Sequence, residues 1–238
     1  MTESKRIGTD LEKYVYSLGI ELYGVASTTA YGRQFGQKPQ PDRFVRNAQS
    51  VVIIGLPYEP GTLATALDPE LAGLRVRAAE QMGVDGAQPK GAENWYLVEE
   101  RTMIYHELTV AAYKVSKYLR QGGFSSVYFP PAKHDDRFRT APFYHMPAMY
   151  LAGLGTLGLN CCILTPKFGP AVLVTSIITD CPLPAGQPMD GELCTKCRLC
   201  VKNCPIHAID GKGWKNPFAC ASYGCCRVCI AICPVGRR

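Results

Sequence analysis

The sequence lacks any apolar run of about 18 residues, so no segment of it reads as a membrane-spanning helix. Its opening, MTESKRIGTDLEKY, has no apolar h-region and no twin-arginine pair, which argues against export and predicts a cytosolic protein. Strong charge of one sign is missing too. The 26 basic and 20 acidic residues leave a formal +6, and the basic residues are scattered with no aromatic-interleaved stripe. That pattern is a solvated surface with a mild excess. It leaves room for an anionic partner such as a nucleotide, a tRNA or a phosphate-bearing cofactor, but it is not a nucleic-acid footprint. What the chain does have is a core-forming 47% of apolar residues and twelve cysteines. In a reducing compartment, that many thiols point to metal binding or redox chemistry, not to disulfides.

The order of elements follows from periodicity and punctuation. Thr9 or Asp10 caps a first helix through LEKYVYSLG, with Glu12 supporting its first turn. ELYGVAS reads as a short strand, and residues 30–42 as a polar loop rich in Gly and Pro. SVVIIGLPY is a continuous β-branched run suited to a strand buried on both faces. Residues 59–94 read as an insertion or lid around a short helix at PELAGLRVRAAEQ. A long helix follows over about 95–120, with Leu97, Met103, Ile104, Leu108, Ala111, Ala112, Val115 and Leu119 at helical spacing, stopped by Gly122 and Gly123. SSVYF is a strand, YHMPAMYLAG a short helix, and CCILT and AVLVTSIIT are strand-like runs around a Lys-Phe-Gly-Pro turn. Composition shifts at the CPLPAGQP linker. We therefore divide the chain into residues 1–186 and a cysteine-rich segment, 187–238, that repeats weakly in two halves, each closing in Cys-Pro.

The most informative string is Cys194-x2-Cys197-x2-Cys200-x3-Cys204-Pro205. A cubane cluster needs four thiolates converging on one inorganic core. Three cysteines at x2 spacing can wrap such a core in a tight loop, and the fourth, with its trailing proline, ligates a neighbouring cluster. The second half offers Cys220 and then Cys226-x2-Cys229-x3-Cys233-Pro234. Exchange pairing gives one [4Fe–4S] cluster to Cys194, Cys197, Cys200 and Cys233, and a second to Cys204, Cys220, Cys226 and Cys229. Cys225 is an alternative to Cys220. Zinc ribbons use two C-x2-C pairs a dozen or more residues apart, which this spacing does not match. Cys161, Cys162 and Cys181 read as small buried hydrophobes.

Gly153-Leu-Gly155-Thr-Leu-Gly158 matches G-x-G-x-x-G, yet it follows a helical pattern instead of a strand. No acidic residue follows at the end of a second strand, so a dinucleotide site is not expected. The same stretch, PFYHMPAMYLAGLGTLGLNCCILTPKFGPAVLVTSIITDCPLP, resembles the signature of the epoxyqueuosine reductase and reductive dehalogenase superfamily. SVVIIGLPY is similar to that family's first core strand. Tyr105-His106 falls where a helix of the family carries a Tyr-His pair, and Cys220 through Pro234 tracks its second cluster motif.

The resemblance implies an α+β fold (an α/β sandwich): a nitroreductase-like, cobalamin-binding domain followed by a ferredoxin-like module with two [4Fe–4S] clusters. It implies electrons passing from a ferredoxin- or flavodoxin-type donor through the clusters to cobalt, to reduce a small organic substrate or modified base. Gly153, Leu154, Gly155, Gly158 and Asn160 are the expected contacts to the macrocycle. His145, whose unperturbed pKa of about 6.5 suits proton delivery, is the first candidate proton donor, with Tyr144 and Tyr105 as phenolic alternatives. Arg139 is a candidate anion clamp. Aligned on Pro142, Arg139 stands where the family's proton-donating acid falls, with Asp135 and Asp136 nearby, and Leu159 replaces a common Lys. Ending at Arg238, the chain reads as a compact member without the helical-repeat extension that helps hold tRNA. A corrinoid carrier or activator, working with a corrinoid protein, and a plain two-cluster electron carrier are the other functional classes.

Overall fold

A computed structural model describes residues 3–68, 94–131 and 141–236. Among these, the chain divides into two compact units, each assembled from three stretches. Residues 1–57, 104–156 and 172–192 form a sheet unit, and 58–103, 157–171 and 193–238 form a cysteine unit. No helix among the described residues is long and apolar enough to cross a membrane.

The sheet unit is built on β1 (Leu22–Ser27), β2 (Ser50–Pro57), β3 (Ser126–Tyr128) and the long last strand, β6 (Val172–Thr179), in the order β1-β2-β6-β3. Every pair is antiparallel, with Val52 opposite both Val25 and Ile177. Strand β2 is central, which explains its unbroken apolar run: Val51, Val52, Ile53 and Ile54 are completely buried. Burying each such side chain contributes about 1.5–3 kcal/mol. The antiparallel sheet also disposes of the dinucleotide motif, which needs a parallel β-α-β unit.

Helix α1 (Glu3–Ser17) packs Leu11 and Val15 into the core and starts well before Thr9 and Asp10. Those two residues are interior to it instead of capping it, because nothing in ESKRIG breaks the helix. Helix α2 (Thr28–Gln34) occupies the start of the segment expected to be a loop. Ser27 Oγ accepts the Ala30 N–H at 3.4 Å as an N-cap, and Tyr31 is fully buried. Tyr31 stacks on Phe143 (centroids 5.1 Å apart), and Phe143 on Phe129 (5.3 Å).

Helix α3 (Pro60–Ala64) opens the 59–94 segment, whose expected helix at 69–81 lies outside the described residues. Helix α4 (Trp95–Gln121) buries the expected stripe except Met103, which is 50% exposed. Its C-terminus closes as Gly123 takes φ +85° and the Phe124 N–H donates back to the Leu119 carbonyl at 3.0 Å. Tyr118 of α4 stacks on Tyr14 of α1 at 4.7 Å. Helix α5 (His145–Leu151) packs on β1, β2 and β6.

In the cysteine unit, β4 (Thr156–Leu157) pairs with β5 (Ile163–Leu164), and a Thr165–Gly169 bridge closes the Lys-Phe-Gly-Pro turn. Three short helices follow: α6 (Leu199–Lys202), α7 (Pro217–Ser222) and α8 (Val228–Ala231). The mixed helix-and-sheet fold expected from the sequence is what the chain adopts.

Candidate iron–sulfur centre

The two cysteine-rich halves repeat in conformation as well as in sequence. Lys196 and Arg198 take left-handed φ of 55° and 60°, and Cys225 and Arg227 take 53° and 64°; each pair leads into a one-turn helix, α6 or α8. His207 and Gly236 lie at the same offset and are left-handed as well. Among the described residues, six of the seven non-glycine residues with positive φ lie in this unit, the exception being Asn47. Each costs about 1–2 kcal/mol, and strain of this kind collects where a structure must aim side chains at a ligand.

The repeat bears on the fourth ligand of the second constellation. Cys226, Cys229 and Cys233 correspond by offset to Cys197, Cys200 and Cys204, whereas Cys225 corresponds to Lys196, a left-handed residue just before the first of these cysteines. Cys225 and Cys220 share a thiol–thiol hydrogen bond. That bond raises Cys220 and lowers Cys225 to about 5, with Arg227, Lys215 and Arg101 adding to the lowering against burial.

Cys194, Cys197, Cys200 and Cys233 line one cavity together with Leu159, Asn160, Leu164, Leu199 and Val235. Burial raises the Cys200 pKa first, and Cys233, Cys194 and Cys197 raise it further. Four thiols in mutual electrostatic range resist ionising together unless a cationic core lies among them. Among the described residues, no three His, Cys, Asp or Glu side chains converge tightly enough for a single metal ion, and zinc at about 2.3 Å from each sulfur would demand that. Thiols spaced around a cavity suit the corners of a cubane.

The second group is Cys204, Cys220, Cys226 and Cys229. Cys204 is buried with Ala208 and Ile209, and Cys220 and Cys229 pack against them. The Ala208 N–H donates to Cys204 Sγ at 3.2 Å, and the Val228 and Val235 N–H groups donate to Cys226 and Cys233. Backbone donors aimed at sulfur stabilise thiolates and tune a cluster's potential. Asn216 caps α7, which carries Cys220, by accepting the Phe218 and Ala219 N–H groups at 3.1 Å. The donor set, its cavity and its N–H···S bonds therefore fit iron–sulfur clusters.

Three residues of this neighbourhood escaped sequence reasoning. Cys161 and Cys162 are only partly buried, not core residues, and sit beside the module's thiols, with the Lys215 backbone N–H bonded to Cys161. The Lys215 ammonium is disfavoured by burial, but Cys162, Cys229, Cys220 and Cys161 more than offset that and raise its pKa. Neither the two cysteines nor the lysine sits in a recognisable motif, so only folding brings them together. Cys181, by contrast, is fully buried in the sheet unit, as expected.

The residues expected around a corrinoid are distributed differently. Gly153, Leu154 and Gly155 lie in the sheet unit, and Gly158 and Asn160 in the cysteine unit. Asn160 is 2% exposed; its Nδ2 donates to the Cys229 carbonyl at 3.3 Å, and its Oδ1 accepts the Cys162 N–H at 3.2 Å. It thus braces the cysteine unit. A Cβ on Gly153 would fall 2.2 Å from the Gln187 carbonyl, and one on Gly158 would fall 2.8 Å from Asn160 Oδ1. Both glycines are therefore required by the chain's own packing.

His145 begins α5, with Nδ1 2.9 Å from Ser176 Oγ and its ring edge-on to Phe143 at 6.1 Å. Burial lowers its pKa to about 4. The ring is therefore neutral at pH 7. Tyr144 precedes it, half-buried, with Lys38 Nζ 4.7 Å over its ring and its carbonyl accepting Tyr31 Oη at 3.4 Å. Tyr105 is half-buried on α4, its carbonyl accepting Thr109 Oγ1 at 2.8 Å. Arg139, Asp135 and Asp136 lie outside the described residues.

A 4Fe-4S binding domain model matches residues 188–210. With the α+β sheet unit, that makes the chain a mixed helix-and-sheet protein carrying a ferredoxin-like iron–sulfur module. Its homologues are reductive dehalogenases and epoxyqueuosine reductases, as the sequence resemblance led us to expect. The tetrachloroethene reductive dehalogenase of Sulfurospirillum multivorans is 34% identical over 108 residues, covering 35% of this chain and 22% of that protein. The epoxyqueuosine reductase of Listeria monocytogenes is 39% identical over 72 residues, covering 30% and 19%. The matched part thus spans about a fifth of either relative. The fold is shared with the catabolic reductive dehalogenase NpRdhA (TM-score 0.69, 18% identity, 100% of this chain and 33% of that one). It is shared also with epoxyqueuosine reductase from Streptococcus thermophilus (0.52, 15%, 88% and 55%).

Proposed function

We propose that this chain is a cobalamin-dependent iron–sulfur reductase acting on a small organic molecule or a modified base, with residues 1–186 as the corrinoid-binding domain and 187–238 as a two-cluster module. The observation that carries this reading is the duplicated cysteine loop, with four of its thiols lining one cavity, in a chain whose homologues are reductases. One structural relative is described as catalysing B12-dependent dehalogenation. Another was solved with an epoxyqueuosine-modified tRNA stem loop, which makes a modified base in tRNA one substrate class to test.

When bound, the clusters would supply one-electron storage at low potential and the corrinoid a reducible cobalt. Reduction of the substrate would consume two electrons, with one proton where the leaving group departs as an anion and two where oxygen departs as water; the electrons would come from a ferredoxin- or flavodoxin-type donor. On this reading, Cys194, Cys197, Cys200 and Cys233 hold one cluster, and Cys204, Cys220, Cys226 and Cys229 the other. Tyr144, Tyr105 and His145 are the side chains offered for the proton.

The test is anaerobic reconstitution with iron and sulfide, followed by titration with cobalamin while the visible spectrum is recorded. About eight irons per chain and a shifted corrinoid spectrum support the proposal, and substrate screening then separates an enzyme from a corrinoid carrier. The same iron content with an unchanged corrinoid spectrum leaves a plain electron carrier.

A further inference from the structure

We propose that the Cys194–Cys204 loop and the Asp210–Trp214 turn form a docking face for an acidic one-electron carrier protein, which delivers electrons at the Cys197 side. The inference rests on the iron–sulfur reading above and adds to it a surface and a partner chemistry.

Of the twelve cysteines, all of them among the described residues, Cys197 alone is exposed. Electron tunnelling falls off exponentially with distance, so a donor must approach the thiolate nearest solvent. The exposed run Thr195–Leu199 around that thiol is basic, carrying Lys196 and Arg198, and Lys202 follows on α6. No Asp or Glu occurs from Leu193 to Ile209. The next acid, the exposed Asp210, accepts the Lys212 and Trp214 N–H groups of its own turn on Oδ1 at 2.7 and 3.0 Å, and Lys212 itself is exposed.

The two loops belong to one surface. Arg198 Nη2 lies 2.8 Å from where a Gly211 Cβ would be, and Leu157 Cδ2 lies 4.0 Å from that of Gly213. Trp214 (55% exposed), Leu157 (51%) and Leu199 (37%) add exposed apolar area within this basic rim. An aromatic anchor with arginine beside it, inside a polar rim, is the composition of a protein-binding hot spot. Its charge selects an acidic partner. Nucleic acid shares that charge, but the basic side chains cluster around the exposed redox thiol, which a nucleic acid has no use for.

The experiment mixes reconstituted holo-protein with a reduced, acidic bacterial-type ferredoxin in an anaerobic stopped-flow and follows cluster bleaching. Electrostatic docking predicts a rate that falls as salt rises from about 50 to 500 mM. Arg198→Glu/Lys202→Glu should slow reduction by ferredoxin about tenfold or more at low salt, while dithionite reduces variant and wild type equally. A salt-independent rate, or an unslowed variant with full iron content, overturns the proposal. So does a variant that loses binding to an RNA stem loop and keeps its ferredoxin rate, which would assign the face to nucleic acid. If charge reversal lowers the iron content, Lys212→Glu and Trp214→Ala, outside the ligand loop, carry the same test. A wild-type chain that takes up no clusters refutes the iron–sulfur reading itself, which is a separate outcome.

Discussion

Replacing His145 by Gln tests whether the sheet unit holds a partly buried, neutral imidazole. Burial takes that ring from about 6.5 down to about 4, with Nδ1 held 2.9 Å from Ser176 Oγ. At about 1.4 kcal/mol per pKa unit, the difference is worth about 3 kcal/mol. The folded value lies below the unfolded one, so between about pH 4 and 6.5 the unfolded chain binds the extra proton. Stability is complete above pH 6.5 and falls as pH drops towards 4. From about pH 7 to pH 5, the wild type should lose about 2 kcal/mol more than His145→Gln, whose amide can still bond Ser176 but cannot titrate. Urea unfolding of both proteins at the two pH values measures that difference, and comparing the pair cancels acid effects on the rest of the chain. A proton NMR titration gives a direct readout: the imidazole resonance missing in the variant should stay still from about pH 7.5 to 5.5. A midpoint near 6.5 for that resonance, or equal losses in the two proteins, would refute the reasoning.

Cys220→Ser should lower bound iron by about half, one of two cubanes, whereas Cys225→Ser should leave it unchanged; iron analysis after reconstitution reads both, and the opposite pattern would make Cys225 the ligand. Gly169→Ala would put a Cβ 1.9 Å from the Val235 carbonyl at a φ of +54°, displacing the chain just after Cys233-Pro234. Left-handed strain alone costs about 1–2 kcal/mol, so the variant should melt lower and bind less iron, and full iron content at the wild-type melting temperature would count against this packing.

Short-range features were legible in the sequence. Ligand spacing is a property of one loop, so Cys194 to Cys204 could be read directly. A central strand buried on both faces announces itself as Ser50–Pro57 does, and α4 was visible from its periodicity. Less of what depends on distant partners could be read. Ser27 as a cap, and Tyr31 seated on Phe143, turn a polar stretch into α2. The neutral state of His145 depends on burial beside Ser176, 31 residues away. The hydrogen bonds of Asn160 to Cys229 and Cys162, one of them to a residue 69 positions away, exist only in the folded chain. Lys215 carries no motif at all, and its place among four thiols exists only in the folded chain.

Cys233 completes the cavity begun by Cys194, Cys197 and Cys200, which sets a clock on biogenesis. At about 5–20 residues per second, the ribosome adds the chain from Cys200 to Cys233 in roughly two to seven seconds. Until the segment bearing Cys233 has left the ribosome and folded back, the three thiols of the loop stand without their fourth. On the cluster reading proposed above, iron and sulfide can complete this site only once the last-made of its four thiols is in place.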